Sequence, residues 1–417
     1  MDAADRAVLL IVEEPDMEEE RAWHVAELRQ LAASAGAKVV GEFYQRRQRP
    51  DPNHYVGAGK VEELYEEVQV LRATLVIAAD DLSPSQLRHL EKAVQVRVID
   101  RTQLILDIFA QRAQTKEGNL QVELAQLQYL LPRLTGRGTE MSRIGGGVGT
   151  RGPGETKLET DRRRIRQRIS DLQQEVAEVV QHRSVQKAAR RKLPFPHAAL
   201  VGYTSAGKST LLNTLSGSGV VVDHKLFSTL DPTTRRVVLP DGWAVLISDT
   251  VGFIRDLPHH LVAAFRATLE EVIEADFLIH VVDAGHPRME EQRDAVEDVL
   301  EELGVAEKPI LTVFNKIDIA PDPYEIRRAV ADTANAVYIS ALTGDGIPYL
   351  MKNMINTIQS LLVHVRFEVP YSRSDLVSMC YDRGRVNSID YQNEKVVVDA
   401  GVTPDIAAKL AEFRIDN

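Results

Sequence analysis

One short segment of this 417-residue chain severely restricts the folds that it can adopt. The segment is the loop Gly202-Tyr203-Thr204-Ser205-Ala206-Gly207-Lys208-Ser209. It fits the pattern G-x-x-x-x-G-K-[ST], in which backbone N–H groups surround phosphates, the lysine neutralises them and the hydroxyl contacts Mg²⁺. An apolar run over 197–201 predicts a buried strand before the loop, and Lys208 to Leu215 predicts a helix whose N-terminus favours anions. The chain is therefore expected to contain an α/β domain with a phosphate-binding loop.

Three further motifs follow the loop in the order found in guanine-nucleotide sites. They are Asp249-Thr250-Val251-Gly252, Asn315-Lys316-Ile317-Asp318 and Ser340-Ala341-Leu342. Each comes directly after an apolar run that predicts a strand. Because ligands of doubly wound sheets bind at the carboxyl ends of the strands, we expect the segments to form one nucleotide site on a doubly wound, mainly parallel sheet.

The pattern N-K-x-D is typical of guanine recognition. We expect Asp318 to accept two hydrogen bonds, from N1–H and from the exocyclic amine of the base. Adenine has no donors at these positions and would leave the carboxylate unpaired, so a site of this kind discriminates steeply. The backbone of 340–342 is expected to contact the base. The sequence therefore predicts binding of GTP and GDP.

The phosphate side of the predicted site calls for Mg²⁺ as cofactor. We expect Lys208 to contact the β- and γ-phosphates, Ser209 to ligate the ion and Asp249 to hold it through water. The N–H of Gly252 is expected to lie near the γ-phosphate, so that Lys208 and Gly252 act on the reacting group.

A second hydroxyl ligand for Mg²⁺ must come from a mobile loop that senses the γ-phosphate. The segment Phe227-Ser228-Thr229-Leu230-Asp231 lies between the phosphate loop and Asp249, where such a switch belongs. We choose Thr229, because Thr233 and Thr234 begin the next predicted strand. The alternative is that Thr229 is only a turn residue.

Phe253 departs from the pattern of Ras-like switches, which carry a water-orienting glutamine at this position. A phenylalanine side chain has no hydrogen-bonding group, so no side-chain base is assigned. We expect slow intrinsic hydrolysis that a partner accelerates. Arg235, Arg236 and Arg255 could act in cis, but we interpret each as a solvated surface charge.

Composition restricts the compartment and the chemistry of the chain. Cys380 is the only cysteine, which excludes internal disulfides and cysteine-based zinc sites and favours a buried apolar role for this residue. No apolar run approaches the length of a membrane span, and the start Met1-Asp2-Ala3-Ala4-Asp5 lacks the basic flank of a signal peptide. We therefore expect a cytoplasmic monomer.

The charge of the chain is unevenly distributed. From Arg133 to Lys192 there are fifteen Lys or Arg and seven Asp or Glu, so this segment has a net charge of +8. Because the whole chain has a net charge of −11, the rest of the chain carries −19. A polyanion would bind this segment and be repelled elsewhere. The candidate RNA contacts are Arg137, Arg143, Arg151, Lys157, Arg162, Arg163, Arg164 and Arg166. The alternative is a solvated charged helix.

The pattern of strands, helices and glycines divides the chain into four parts. Residues 1–112 predict a small α/β domain with parallel strands. Residues 113–193 predict a helical segment with a Gly-rich loop over 134–155, followed by a basic pair of helices that form a hairpin. Residues 194–360 predict the nucleotide domain, and 361–417 a small α+β module. Gly57-Ala58-Gly59-Lys60 resembles half of a phosphate loop, but we interpret it as a turn into a helix.

Taken together, these residues resemble the HflX family of translation-associated GTPases over nearly the whole chain. The most specific matches lie outside the nucleotide site, in the segments Tyr55 to Glu62 and Gly145 to Glu159. The segments Phe227 to Arg236 and Asp249 to Phe253 are similar to the switches of the family. Ser205 departs from the family, which commonly has asparagine there, so the resemblance does not extend to activation by a monovalent cation.

The resemblance implies GTP hydrolysis coupled to binding of the large ribosomal subunit and its rRNA through the N-terminal and basic segments. The implied role is the splitting or rescue of ribosomes, or their assembly. Two alternatives remain open. One is a GTP-regulated module that binds a protein or a membrane, and the other is an RNA-remodelling NTPase, for which we find no strand-separation motifs.

Overall fold

The computed structural model describes residues 5–13, 18–134, 157–190, 195–217, 226–227, 229–255 and 266–415. The chain divides into two compact units. Unit 1 contains residues 1–181, 223–231 and 256–267, and unit 2 contains 182–222, 232–255 and 268–417. Among the described helices, none combines the length and the apolar character needed to cross a membrane.

Residues 5–133 fold as a parallel α/β layer followed by helices. The elements up to residue 190 are β1 (Arg6–Glu13), α1 (Glu18–Ser34), β2 (Lys38–Arg46), α2 (Ala58–Val70), β3 (Leu75–Ala78), α3 (Pro84–Val94), β4 (Arg97–Ile99), α4 (Arg101–Arg112), α5 (Lys116–Arg133) and α6 (Lys157–Arg190). The four strands pair in parallel in the order β2-β1-β3-β4. Val8 and Val76 of the sheet and Leu64 and Leu90 of the helices are fully buried in its core.

Local sequence signals explain where these helices begin. Ser83 caps α3 in a reciprocal capping box with Gln86, and Pro84 occupies the first turn. Gly57 precedes α2 in an extended conformation (φ −64°, ψ 150°), so the segment 57–60 is a turn into a helix, as the sequence suggested.

The basic segment differs from the prediction in one respect. We expected two helices between residues 155 and 192, but the structure has one helix of 34 residues, α6. No glycine or proline interrupts Lys157–Arg190, so nothing breaks the helical hydrogen bonding. The apolar partner of α6 is α5, through a small cluster that includes Leu120, Leu124 and Leu172. The predicted hairpin of two helices within 155–192 is therefore wrong, and the single helix α6 packs against α5 instead.

The second half of the chain contains a six-stranded sheet and a smaller module. Its elements are β5 (His197–Val201), α7 (Lys208–Ser216), β6 (Thr233–Val238), β7 (Ala244–Asp249), α8 (Arg266–Glu274), β8 (Phe277–Asp283), α9 (Met289–Glu302), β9 (Ile310–Asn315), α10 (Pro323–Asp332), β10 (Ala336–Tyr338), α11 (Ile347–Ser360), β11 (Val363–Pro370), α12 (Ser374–Arg383), β12 (Gly384–Tyr391), β13 (Lys395–Val402) and α13 (Pro404–Lys409). The sheet order is β10-β9-β8-β5-β7-β6, and only β6 runs antiparallel to its neighbour. This is the predicted doubly wound, mainly parallel sheet.

The C-terminal module is a three-stranded antiparallel sheet in the order β11-β13-β12. The turn that joins β12 to β13 closes with a hydrogen bond from the N–H of Gln392 to the carbonyl of Lys395. Cys380 on α12 is buried in the core of this module, and burial raises the pKa of its thiol to about 11. The predicted apolar role of Cys380 is therefore confirmed.

Candidate functional site

The motif segments of unit 2 all follow strands at one edge of the six-stranded sheet. The phosphate loop follows β5, Asp249 ends β7, Asn315 ends β9, and 340–342 come shortly after β10. Because β5, β7, β8, β9 and β10 are parallel, their carboxyl ends share this edge.

Glycines let the phosphate loop approach its neighbours closely. Gly207 has φ +98°, and a Cβ there would stand 2.3 Å from Nδ2 of Asn315. Gly202 has φ +150°, and a Cβ there would stand 2.2 Å from the carbonyl oxygen of Val281. A side chain at either position would collide with its neighbour, so the pattern G-x-x-x-x-G is required sterically.

Lys208 lies at the centre of the phosphate loop. Its ammonium donates to the carbonyls of Gly202 and Tyr203, at 2.9 Å each, and the side chain is buried. Burial lowers the pKa of Lys208 to about 8, and the nearby carboxylate of Asp249 offsets part of this effect. A buried cation anchored by two carbonyls at a helix N-terminus is suited to binding phosphate oxygens.

Two oxygen donors meet at the end of the loop. The hydroxyl of Ser209 donates to Oδ2 of Asp249 over 2.6 Å. A hydroxyl and a carboxylate are hard oxygen ligands of the kind that Mg²⁺ binds directly or through water. The pair fits the predicted metal position, although the described residues contain no cluster of three His, Cys, Asp or Glu that could hold a metal by themselves.

The backbone of the D-x-x-G segment is paired with the phosphate loop. The N–H of Phe253 donates to the carbonyl of Gly202 (3.1 Å), and its carbonyl accepts from the N–H of Thr204 (2.7 Å). The hydroxyl of Tyr203 accepts from the N–H of Arg255 (3.0 Å), a contact that the sequence did not predict. A Cβ at Gly252 would stand 2.9 Å from Cα of Thr204, so this position also excludes a side chain.

The side chain of Phe253 is fully buried. The residue has no polar group, as the sequence already shows, and its ring packs in the apolar interior. Arg235 and Arg236 are exposed on β6, and Arg236 lies over the Phe195 ring at 4.8 Å, in agreement with their interpretation as surface charges.

The N-K-x-D segment is joined by hydrogen bonds to two other motifs. The buried amide of Asn315 donates to the carbonyl of Ala206 (2.8 Å) and accepts from the N–H of Ala341 (2.9 Å). Ile317 donates to the carbonyl of Ile339 (3.2 Å). The phosphate loop, the N-K-x-D loop and the 340–342 loop are therefore one connected structure.

The remaining base-side residues are placed where a ligand could reach them. Asp318 is exposed, and Leu342 is 79% exposed. Lys316 has a left-handed backbone (φ +66°), and its ammonium contacts Oδ2 of Asp283 at 2.6 Å. Asp283 is a site residue that no sequence motif indicates, although it ends an apolar strand as Asp249 does.

The predicted switch segment belongs to unit 1. The carboxylate of Asp231 accepts from the N–H groups of Gln114 (2.9 Å) and Thr115 (3.0 Å) and from the hydroxyl of Thr115 (2.5 Å). The Phe227 ring packs edge-on against Phe109, with centroids 4.7 Å apart. Thr229 is half-buried, and its role as a ligand of Mg²⁺ stays a prediction.

The predicted RNA contacts are described only in part. Ser228 of the switch and Arg137, Arg143 and Arg151 of the Gly-rich loop lie outside the described residues, as does the side chain of Lys157. On α6, Arg163, Arg164 and Arg166 are exposed and Arg162 is half-buried.

Protein-family models match the chain in four consecutive stretches. Their descriptions are GTP-binding GTPase N-terminal (residues 22–110), GTP-binding GTPase Middle Region (112–190), 50S ribosome-binding GTPase (197–316) and HflX C-terminal domain (325–415). The HflX C-terminal match begins at residue 325, inside the stretch predicted as the nucleotide domain, and the four-part division of the chain stays a prediction.

Two curated relatives are similar over almost the full length. The GTPase HflX of Caldanaerobacter subterraneus subsp. tengcongensis is 46% identical over 99% of this chain and 94% of its own. The GTPase HflX of Escherichia coli (strain K12) is 42% identical over 99% of this chain and 96% of its own. Among solved structures, a GTP-binding protein from Sulfolobus solfataricus in complex with GDP is 25% identical, with a TM-score of 0.45 over 86% of this chain and 99% of that one.

Proposed function

The chain belongs to the HflX family of GTPases, and from this premise we propose that it binds and hydrolyses GTP at the connected motif loops of unit 2. The guanine base is held by Asn315, Lys316 and Asp318, and the phosphates by the loop 202–209. Membership of the family already makes the chain a GTP hydrolase; the assignment of residues is ours.

The observation that carries this assignment is the double hydrogen bonding of Asn315. Its amide joins the loop that contains Lys208 to the loop that contains Ala341, with both contacts buried. A buried amide with both groups paired has one stable orientation. The spacing between the phosphate-binding and base-binding loops is therefore held by buried contacts of the chain itself, which suits a ligand that spans both loops.

The metal position is assigned to Ser209 and Thr229, with Asp249 acting through water. When bound, Mg²⁺ neutralises charge on the β- and γ-phosphates. The residues of the chain do the rest: Lys208 supplies a buried positive charge, and the N–H of Gly252 donates to the γ-phosphate. Since Phe253 is buried and apolar, no side chain of this segment orients the attacking water, and slow intrinsic hydrolysis is expected.

The proposed partner is the large ribosomal subunit, met in the cytoplasm by a monomer of this chain. Exposed arginines on α6 supply contacts for rRNA phosphates, which bind cations in a salt-dependent manner. Among the predicted RNA contacts on α6, Arg163, Arg164 and Arg166 are the exposed ones, and Arg164 also lies 3.9 Å from Oδ1 of Asp161. These three arginines are the described candidates. The supported roles are splitting or rescue of ribosomes, or their assembly.

The anchoring of the switch segment supports a link between nucleotide state and partner binding. Asp231 and Phe227 attach this segment to α4, α5 and the turn between them. If Thr229 shifts when it ligates Mg²⁺, these contacts must move with it or break. In either case the binding of GTP is communicated to the part of the chain proposed to meet RNA.

The decisive experiment measures the GTPase rate with and without purified ribosomal subunits. We expect strong stimulation by the large subunit, and a loss of that stimulation in the triple variant Arg163→Gln, Arg164→Gln, Arg166→Gln. The double variant Arg327→Gln, Arg328→Gln is the control, because both arginines are exposed and belong to α10 of unit 2, not to the basic segment of the sequence. Equal rates with and without the large subunit would remove the ribosomal role and leave the nucleotide site standing.

A further inference from the structure

The side chain of Lys316 is tied to a strand that no nucleotide motif includes. Its ammonium lies 2.6 Å from Oδ2 of Asp283, the last residue of β8. The Lys316 side chain is 30% exposed and that of Asp283 is 14% exposed. The pair is thus sheltered enough to hold one geometry, while the stem of the lysine remains accessible to a ligand.

Asp283 is itself held in place. Its other carboxylate oxygen accepts from the N–H of Gly285 (3.0 Å), and its backbone lies opposite Asn315 in the β8–β9 register. The N–H of Ala284 donates to the carbonyl of Asn315 (2.8 Å). A Cβ at Gly285 would meet Ile319 at 3.0 Å, so the turn after Asp283 also packs closely on the N-K-x-D loop.

A lysine side chain that is fixed at both ends loses little conformational freedom when a nucleotide binds. The Lys316 backbone is fixed in the left-handed region, and its ammonium is fixed by Asp283. The four-carbon stem between them can cover a flat apolar surface, as lysine stems commonly do. A purine ring bound by Asp318, two residues further on, is such a surface.

We propose that Asp283 is a positioning residue for guanine-nucleotide binding, which holds the stem of Lys316 ready against the face of the base. The inference rests on the proposed role of Lys316 in the nucleotide site. Because Asp283 acts on the face of the ring and not on its edge, it raises affinity for purine nucleotides without setting the choice among them.

The expected effect is a loss of affinity without a loss of turnover. Freeing one long side chain that must then be ordered on binding weakens the affinity by about tenfold. We therefore expect Asp283→Asn to raise the Kd for GDP by about tenfold, with kcat at saturating GTP changed by less than about twofold. Asparagine still accepts from Gly285, so the empty variant should melt within about 2 °C of the parent.

The test is a double-mutant cycle on the full chain, which compares the parent, Asp283→Asn, Lys316→Ala and the double variant. Calorimetry gives the Kd of GDP and the Kd of IDP for each protein. If Asp283 acts through Lys316, Asp283→Asn changes the Kd by less than about twofold once Lys316 is alanine. The ratio of the two affinities should be the same in the parent and in Asp283→Asn. Asp298→Asn, an exposed carboxylate on α9, is the matched control.

Three results would overturn the proposal: no change in Kd on Asp283→Asn, an equal loss in both Lys316 backgrounds, or a change in the ratio of GDP to IDP affinity. A changed ratio would mean that Asp283 acts through Asp318, which is proposed to bind the edge of the base. Failure of the parent chain itself to bind GDP would instead contradict the nucleotide-site assignment, so the two failures are distinguishable.

Discussion

The two sides of the nucleotide site are built in different ways. On the base side, Asn315 joins three loops through buried hydrogen bonds, and Lys316 is anchored to Asp283. On the phosphate side, the proposed ligand Thr229 belongs to unit 1, beside Asp231, which is bonded to Thr115. The base side is therefore joined by contacts within unit 2, whereas we propose that the hydrolytic arrangement forms only when GTP and a partner bind.

The strongest way to separate the two sides is to disturb the switch backbone at Gly252. A Cβ there would stand 2.9 Å from Cα of Thr204, so Gly252→Ala displaces the N–H proposed to contact the γ-phosphate. We expect kcat to fall by about 10²- to 10³-fold, the loss typical of removing one hydrogen-bond donor to a developing negative charge. GDP affinity should stay within about threefold, since the base side is untouched. Single-turnover kinetics and calorimetry measure both. Gly59→Ala, where a Cβ meets nothing within 4 Å, is the control.

A substitution on the base side should lower the affinity for GDP and change the rate of hydrolysis much less. Asn315→Ala leaves the carbonyl of Ala206 and the N–H of Ala341 without their buried partner. Each unpaired buried group costs about 1–3 kcal/mol, so the two loops should relax apart in the empty variant. The nucleotide then has to restore their spacing, and we expect GDP affinity to fall by about 100-fold. The rate at saturating GTP should change much less. Asn356→Ala, at an exposed position of α11, provides the control. A fall in kcat as large as the fall in affinity would mean that the two sides are not separable.

The pH dependence of GDP binding tests the role of Lys208 on the phosphate side of the site. Burial lowers the pKa of Lys208 to about 8 in the empty site, and bound phosphates favour its charged form. Binding therefore takes up a proton above pH 8, and affinity for GDP should fall as pH rises through this value, by about tenfold per pH unit. Calorimetry from pH 7 to pH 9 would show it. The Lys208→Ala variant should bind weakly and lack this slope; the same slope in that variant would assign the titration elsewhere.

The smallest effect on the rate of GTP hydrolysis is expected from a substitution at Phe253. Since its side chain has no hydrogen-bonding group, Phe253→Ala should change basal hydrolysis by less than about threefold. The ring is fully buried, so stability should fall by about 3–5 kcal/mol, the usual loss for such a truncation. Rates measured well below the melting temperature test the first point. A loss of three orders of magnitude would show that the ring has a catalytic role, and Phe253→Leu would then tell whether apolar volume restores it.

Most of the nucleotide domain could be predicted from sequence, because its signals are local. The apolar runs before Asp249 and Asn315 marked strands, and parallel order put their ends at one edge. The contacts that join distant segments carried no such signal. Nothing near Asp231 indicates that it binds Thr115, which lies 116 residues earlier. The prediction of two helices in place of α6 is wrong for another reason: the apolar residues that pair α6 with α5 are few, so the sequence shows little of its packing.

The buried thiol of Cys380 has a practical consequence. With a pKa of about 11 it stays protonated at neutral pH, and its side chain is shielded by the C-terminal core. The native chain should therefore be silent toward maleimide dyes. A reporter attached through a cysteine introduced near Thr229 would carry no background label, so loop motion could be followed by fluorescence as each turnover proceeds.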